Sequence, residues 1–205
     1  MSSSAAHDRA NLKMSLLRQI QQLSLQDALL PSCHPAIDTA VAQLEAVTPQ
    51  AHPMLIEHWP SLVGTWHLIY ASRGTVVTRQ VADNNPLAWL QVTILQVWQT
   101  LSIEHQQLKT ENGAELEVPW GGRWRLKAMG TWTPINAQTV TVAFHGFALQ
   151  SQWAGLGWPL PELHIPVMEQ LRREALWTTS YLDEDLRVGR GATGNLFVFQ
   201  RAPNR

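Results

Sequence analysis

The sequence predicts an α+β, mainly β protein in which two amphipathic helices precede an antiparallel barrel or sandwich. Three observations carry this expectation. Apolar residues recur at helical spacing only before Pro49, the period switches to two after Ser61, and the rest of the chain breaks into short strand-like runs separated by turn chemistry. A length of 205 residues suits one domain with a short appendage. The expected division is a helical segment over residues 1–60 and a barrel domain over residues 61–205.

The first helix is expected from Asp8 to Leu23, where Leu12, Leu16, Ile20 and Leu23 line one face. A second opens near Pro35, a residue suited to a first helical turn, and carries Ile37, Val41, Leu44 and Val47 on one face before Pro49 stops it. Both stripes need an apolar surface, so these helices are expected to cover a barrel end or to meet a membrane. Trp66, Leu68 and Tyr70 then alternate with His67 and Ile69 as a first strand. Further strands are expected near Val76–Val81, Val92–Ile103, Glu115–Val118, Trp124–Thr131, Thr139–Leu149, Leu176–Tyr181 and Leu196–Arg201. Tight turns are expected at Asp83–Pro86, Glu111–Gly113 and Pro134–Asn136. Residues 152–173, rich in Trp, Gly and Pro and then helix-like, are expected to form a lid or plug at one barrel mouth.

Composition narrows the function classes. Fifteen Lys and Arg against sixteen Asp and Glu leave a net charge of -1, so there is no positive field for a nucleic-acid backbone. Charged residues are only 15% of the chain and hydrophobic residues 45%, which suits a surface that meets something less polar than water. Ten tryptophans, against two tyrosines and four phenylalanines, suit pocket walls as well as a core. Cys33 is alone and the eight histidines are scattered, so neither a disulfide nor a metal motif is available, and no cofactor is expected. No apolar run is long enough for a spanning helix. The first residues lack the apolar centre of a secretory signal and read as a mature start.

Gly189, Gly191 and Gly194 fit G-x-G-x-x-G, yet they lead into a strand rather than a helix. A glycine-rich hairpin turn is therefore expected in place of a dinucleotide site. Asp183, Glu184 and Asp185 offer turn and ion-pair chemistry with Arg187 or Arg190. No G-x-S-x-G elbow is present, so covalent hydrolysis has no support.

Two stretches carry a family resemblance. Gly64-Thr65-Trp66 opens the first strand as lipocalin-like proteins do, and Leu68 and Tyr70 continue it. The segment from Thr178 to Phe199, TTSYLDEDLRVGRGATGNLFVF, resembles the carboxy-terminal signature of the plastid lipid-associated proteins, the fibrillins. The resemblance covers most of the chain and is strong at its two ends, whereas Val92–Trp177 matches loosely and is unusually rich in Trp. It implies a lipocalin-like antiparallel β-barrel, non-enzymatic, that binds or carries a small hydrophobic molecule such as a lipid, prenylquinone or carotenoid. It also implies a peripheral place on a thylakoid membrane or lipid globule, on its cytoplasmic side in a cyanobacterial-type member. Two alternatives accompany it: a scaffold or assembly factor contacting a photosystem or antenna complex, and an enzyme resembling the chromophore lyases.

A barrel of about eight strands has room for one small ligand. Trp66, Leu68 and Tyr70 are expected to face inward, with Trp124 and Phe144 as opposite walls. Asp183, Arg187 and Arg190 complete the candidate ligand-binding set. Two roles are open to them. Arg187 or Arg190 can lie over an aromatic such as Trp66 near the closed end, with Asp183 offsetting the charge. Alternatively, Asp183 stands at the pocket mouth and accepts a hydrogen bond from a ligand's polar head.

Overall fold

The computed structural model describes residues 3–32, 34–73, 92–118, 122–152, 163–166 and 175–203. Three helices come first: α1 (Ser3–Gln21), α2 (Leu25–Leu29) and α3 (Pro35–Glu45). A short 3-10 turn at Ile56–His58 leads into α4 (Trp59–Leu62). Ser24 caps α2, its hydroxyl accepting from the Asp27 N–H, and Pro35 occupies the first turn of α3, where its missing N–H leaves no bond unmade.

Among the described residues nine strands follow: β1 (Gly64–Ala71), β2 (Thr93–Glu104), β3 (Gln107–Val118), β4 (Gly122–Pro134), β5 (Thr139–Gln152), β6 (Leu163–Pro166), β7 (Ala175–Leu182), β8 (Leu186–Gly191) and β9 (Leu196–Arg201). Every pairing is antiparallel. The order β4-β3-β2-β1-β9-β8-β7-β5 closes on itself through β4–β5, which makes an eight-stranded barrel. The far side of β5 is shared, with Thr139–Val142 pairing β7 and Gly146–Leu149 pairing β6. The expected α+β, mainly β barrel after N-terminal helices is the fold observed.

Several local expectations are corrected. Glu111–Gly113 is no turn but lies inside β3, and the hairpin turns instead at His105 and Gln106, both with positive φ. Two such residues in succession are what a two-residue hairpin loop demands, here without the usual Asn-Gly. Gly113 has another use: a Cβ there would meet the Trp98 indole at 2.2 Å, so the glycine lets that ring lie against the sheet. Gly189, Arg190 and Gly191 belong to β8, and the chain turns after them. The expected strand at Val76–Val81, the turn at Asp83–Pro86, Cys33 and most of the 152–173 stretch lie outside the described residues; Leu163–Pro166 within that stretch is a strand.

The helices cover the barrel's flank rather than its end. Leu16, Ile20, Ile37, Val41 and Leu44 join Tyr70, Tyr181, Leu186, Val188 and Val198 in one buried cluster outside the barrel wall. A second cluster lies on the inside, where Met54, Trp59 and Leu62 from the α4 region meet Trp66 and plug one end. The indole N–H of Trp66 donates to the Leu62 carbonyl at 2.8 Å, and that of Trp59 to the Met54 carbonyl at 3.0 Å. No helix among the described residues is long and apolar enough to cross a membrane.

Candidate functional site: the barrel interior

Strand alternation sends every second residue inward, and two bulges decide which ones. In β1 the register against β9 shifts between Leu68 and Tyr70. Trp66 and Leu68 therefore face the interior, while Tyr70 crosses to the flank and donates its hydroxyl to Asp38 at 3.2 Å. This corrects the expectation for Tyr70, since a strict period of two would have kept it inside. In β7 the shift between Thr179 and Tyr181 likewise sends Tyr181 outward and Leu182 inward.

The central feature of the interior is Arg187. Its side chain is 0% exposed, and its guanidinium carbon lies 4.7 Å from the Phe199 ring centroid, 5.0 Å from that of Trp66 and 5.8 Å from that of Trp132. Nη2 donates to Gln99 Oε1 at 2.5 Å. Gln99 Nε2 passes the chain on to Asn112 Oδ1 at 2.7 Å, which also accepts from the Thr110 hydroxyl at 3.2 Å. A polar ladder thus runs from β8 across β2 to β3 between aromatic walls. No carboxylate faces Arg187 among the described residues, and its Nε and Nη1 have no partner. Burial, and after it the like charge of Arg201, push its guanidinium below the ordinary value.

Arg201 resolves the same problem differently. Its guanidinium carbon lies 4.0 Å from the centroid of the Trp66 ring, and Nη1 donates to the Val63 carbonyl at 2.7 Å. Its other nitrogens donate to the carbonyls of Ser61 and Glu184. It latches β9 to the segment before β1, so Trp66 has a satisfied arginine and an unsatisfied one over the same ring system.

The other expected site residues divide clearly. Phe144 packs against the interior cluster, whereas Trp124 is half-buried across from Ser151 and Leu116, toward the end of the barrel opposite the plug. Asp183 is not at an interior mouth. Its Oδ1 accepts from the N–H groups of Asp185 and Leu186 at 3.0 and 2.7 Å, and its Oδ2 from the Tyr181 hydroxyl at 2.6 Å and from Lys13 at 3.0 Å. Burial alone would raise its pKa, but the bonds from Tyr181, Lys13 and the two N–H groups outweigh that and hold it below the usual carboxylate range. An open cleft of about 800 Å³ does adjoin this turn on the outer surface, but Arg9, Lys13, Asp183, Asp185 and Arg201 make its walls ionic. Arg190 points away from the interior and pairs with Glu45 through Nε at 2.8 Å and Nη2 at 2.7 Å, tying α3 to β8. Of the two arginines expected over Trp66, Arg187 is the one there.

Sequence reasoning missed Gln99, Trp132, Trp177, Thr179 and Arg201. Trp177 lies over Gly189, where a Cβ would meet the ring at 1.9 Å, and its centroid is 5.2 Å from that of Phe197. The available signals were a large aromatic facing a glycine and a polar Gln99 in phase with Val97 and Leu101.

The family model PAP_fibrillin matches residues 10–200. The chain belongs to the fibrillin family. A relative 24% identical over 197 residues, covering 95% of this chain and 71% of its own length, is "Probable plastid-lipid-associated protein 5, chloroplastic" of Arabidopsis thaliana. No solved structure gives a significant match. Family membership is consistent with lipid-related binding, and the matched span includes every interior residue described above except Arg201, one position beyond its end. Among the described residues no group of His, Cys, Asp or Glu is arranged to hold a metal ion.

Proposed function

We propose that this protein is a non-enzymatic binding or carrier protein for one small hydrophobic molecule of the lipid, prenylquinone or carotenoid class. The molecule is held inside the barrel, and the protein docks peripherally on a photosynthetic membrane. The observation that carries the binding role is the make-up of the interior. Trp66, Trp132, Trp177, Phe197 and Phe199 supply flat apolar walls, and a polar ladder gives an amphiphile one orientation. Burying apolar ligand surface there contributes about 25 cal/mol per Å², less the costs of association. The membrane role rests on the family, on the relative named for plastid lipid, and on the low charge of the chain.

The test is a titration of intrinsic tryptophan fluorescence with a prenylquinone, a carotenoid and a fatty acid, paired with thermal melts. At least one class quenches saturably and raises the melting temperature, with about 2.7 kcal/mol of added stability at a hundredfold excess over Kd. If none does both, the carrier role is wrong.

A further inference from the structure

We infer that the ligand carries a singly charged anionic head, a carboxylate, which binds the Arg187 guanidinium at the plugged end of the barrel while its apolar tail runs along the aromatic walls. The inference rests on the binding role proposed above and narrows it. Among the described residues, the polar side-chain atoms of the interior that are buried without partners are Nε and Nη1 of Arg187, Nε1 of Trp132, Nε1 of Trp177 and the Thr179 hydroxyl; the other buried atoms without partners, Gln19 Oε1, His34 Nε2 and Asn195 Oδ1, belong to residues outside the interior cluster. All five can donate a hydrogen bond, and the guanidinium and indole nitrogens can do nothing else. The rings that carry them are neighbours: Trp132 and Trp177 have centroids 6.2 Å apart, and Arg187 stands over Trp132. An interior that offers donors and keeps its acceptors, Gln99 Oε1 and Asn112 Oδ1, already occupied is built for an acceptor.

Charge then selects among acceptors. A buried guanidinium without a counter-charge is costly, and only an anion relieves that cost. A hydrocarbon carotenoid leaves every one of these donors unsatisfied. A quinone carbonyl takes a hydrogen bond but leaves the charge. A phosphate answers the charge as well, but it brings two negative charges to the one guanidinium that has N–H groups to spare, those of Arg201 being given to three backbone carbonyls. A carboxylate matches one positive charge with one negative and presents two oxygens to the donors.

The experiment compares tail-matched probes, laurate and 1-dodecanol, with a neutral short-chain quinone alongside, by fluorescence titration at neutral pH. Laurate is expected to bind at least about tenfold more tightly than dodecanol. Arg187→Gln should remove that preference, with a fall in laurate affinity several times larger than any fall for dodecanol, whose hydroxyl loses a hydrogen bond but no ion pair. Trp132→Phe keeps an aromatic wall and loses the indole N–H, so it should weaken laurate more than dodecanol, and it serves should Arg187→Gln not fold. Equal affinity for laurate and dodecanol, or tighter binding of the quinone than of laurate, overturns the carboxylate head while leaving the binding role in place. Failure of all three probes and of a carotenoid overturns both.

Discussion

The two faces of the same barrel wall are satisfied in different ways. On the flank, beneath the helices, aliphatic side chains dominate and the charged groups around them are paired, Lys13 and the Tyr181 hydroxyl with Asp183, the Tyr70 hydroxyl with Asp38 and Arg190 with Glu45, while Gln19 Oε1 and His34 Nε2 are buried there without a partner. Inside, aromatics dominate, and Arg187, Trp132, Trp177 and Thr179 keep polar atoms without partners. A folding core gains stability from completeness, whereas a binding interior keeps its unmade bonds for what enters it. On the function proposed above, the flank carries the stability of the fold and the interior its selectivity.

The sharpest way to break this contrast is to open the flank. Leu44 is fully buried there, and Leu44→Ala is expected to cost about 2–5 kcal/mol in urea unfolding while leaving ligand affinity unchanged wherever the variant is folded. An equal loss of affinity would mean that the two faces are not independent. Inside, the sign reverses. Arg187→Met exchanges an unpaired buried cation for an apolar side chain of similar length, and is expected to stabilise the ligand-free protein by about 1–3 kcal/mol while lowering affinity for an acidic ligand. Destabilisation of the ligand-free protein instead would assign Arg187 to the fold.

Asp183 sharpens the comparison through pH. Its carboxyl titrates below the ordinary value in the folded state, so its contribution is full above the unfolded pKa of 3.8 and disappears as pH falls through the folded one. Asp183→Asn is expected to cost about 1–2 kcal/mol at neutral pH, to converge on the parent at strongly acid pH, and to spare ligand affinity, as urea midpoints and titrations across pH would show. The smallest effect belongs to Arg190. Its side chain is 36% exposed, so Arg190→Gln should cost no more than about 1 kcal/mol, and the difference should shrink in high salt.

The two longer helices and most of the strands were legible in the sequence because periodicity reports which face of an element is wet, whereas β8, whose glycines read as a turn, was not. The stripes at Leu12–Ile20 and Ile37–Leu44 and the run Leu196–Arg201 appear where the pattern puts them. The candidate site was legible only in part, because two bulges reset the alternation. An extra residue at Ile69 moves Tyr70 out, and one at Ser180 moves Tyr181 out, and neither carries a glycine or proline to announce it. The hairpin at His105 and Gln106 was hidden for the same reason, while Glu111–Gly113 advertised a turn and supplied room for an indole. Arg187 could be placed near Trp66 from the sequence. Its lack of a counter-ion could not, because that depends on which way each neighbouring acid faces.

The latch made by Arg201 also sets an order of events during synthesis. It reaches the Val63 carbonyl across 138 residues of chain, and β9 is the strand that completes one edge of β1. At roughly 5–20 residues per second, a nascent chain carries β1 with that edge bare for on the order of ten seconds before its partner is made. During that interval Trp66 and Leu68 have no closed interior to enter, and the open edge can recruit a strand from a neighbouring polypeptide. The helices, translated first, are the part of the chain available to shelter the outer face of β1 until the ring can shut.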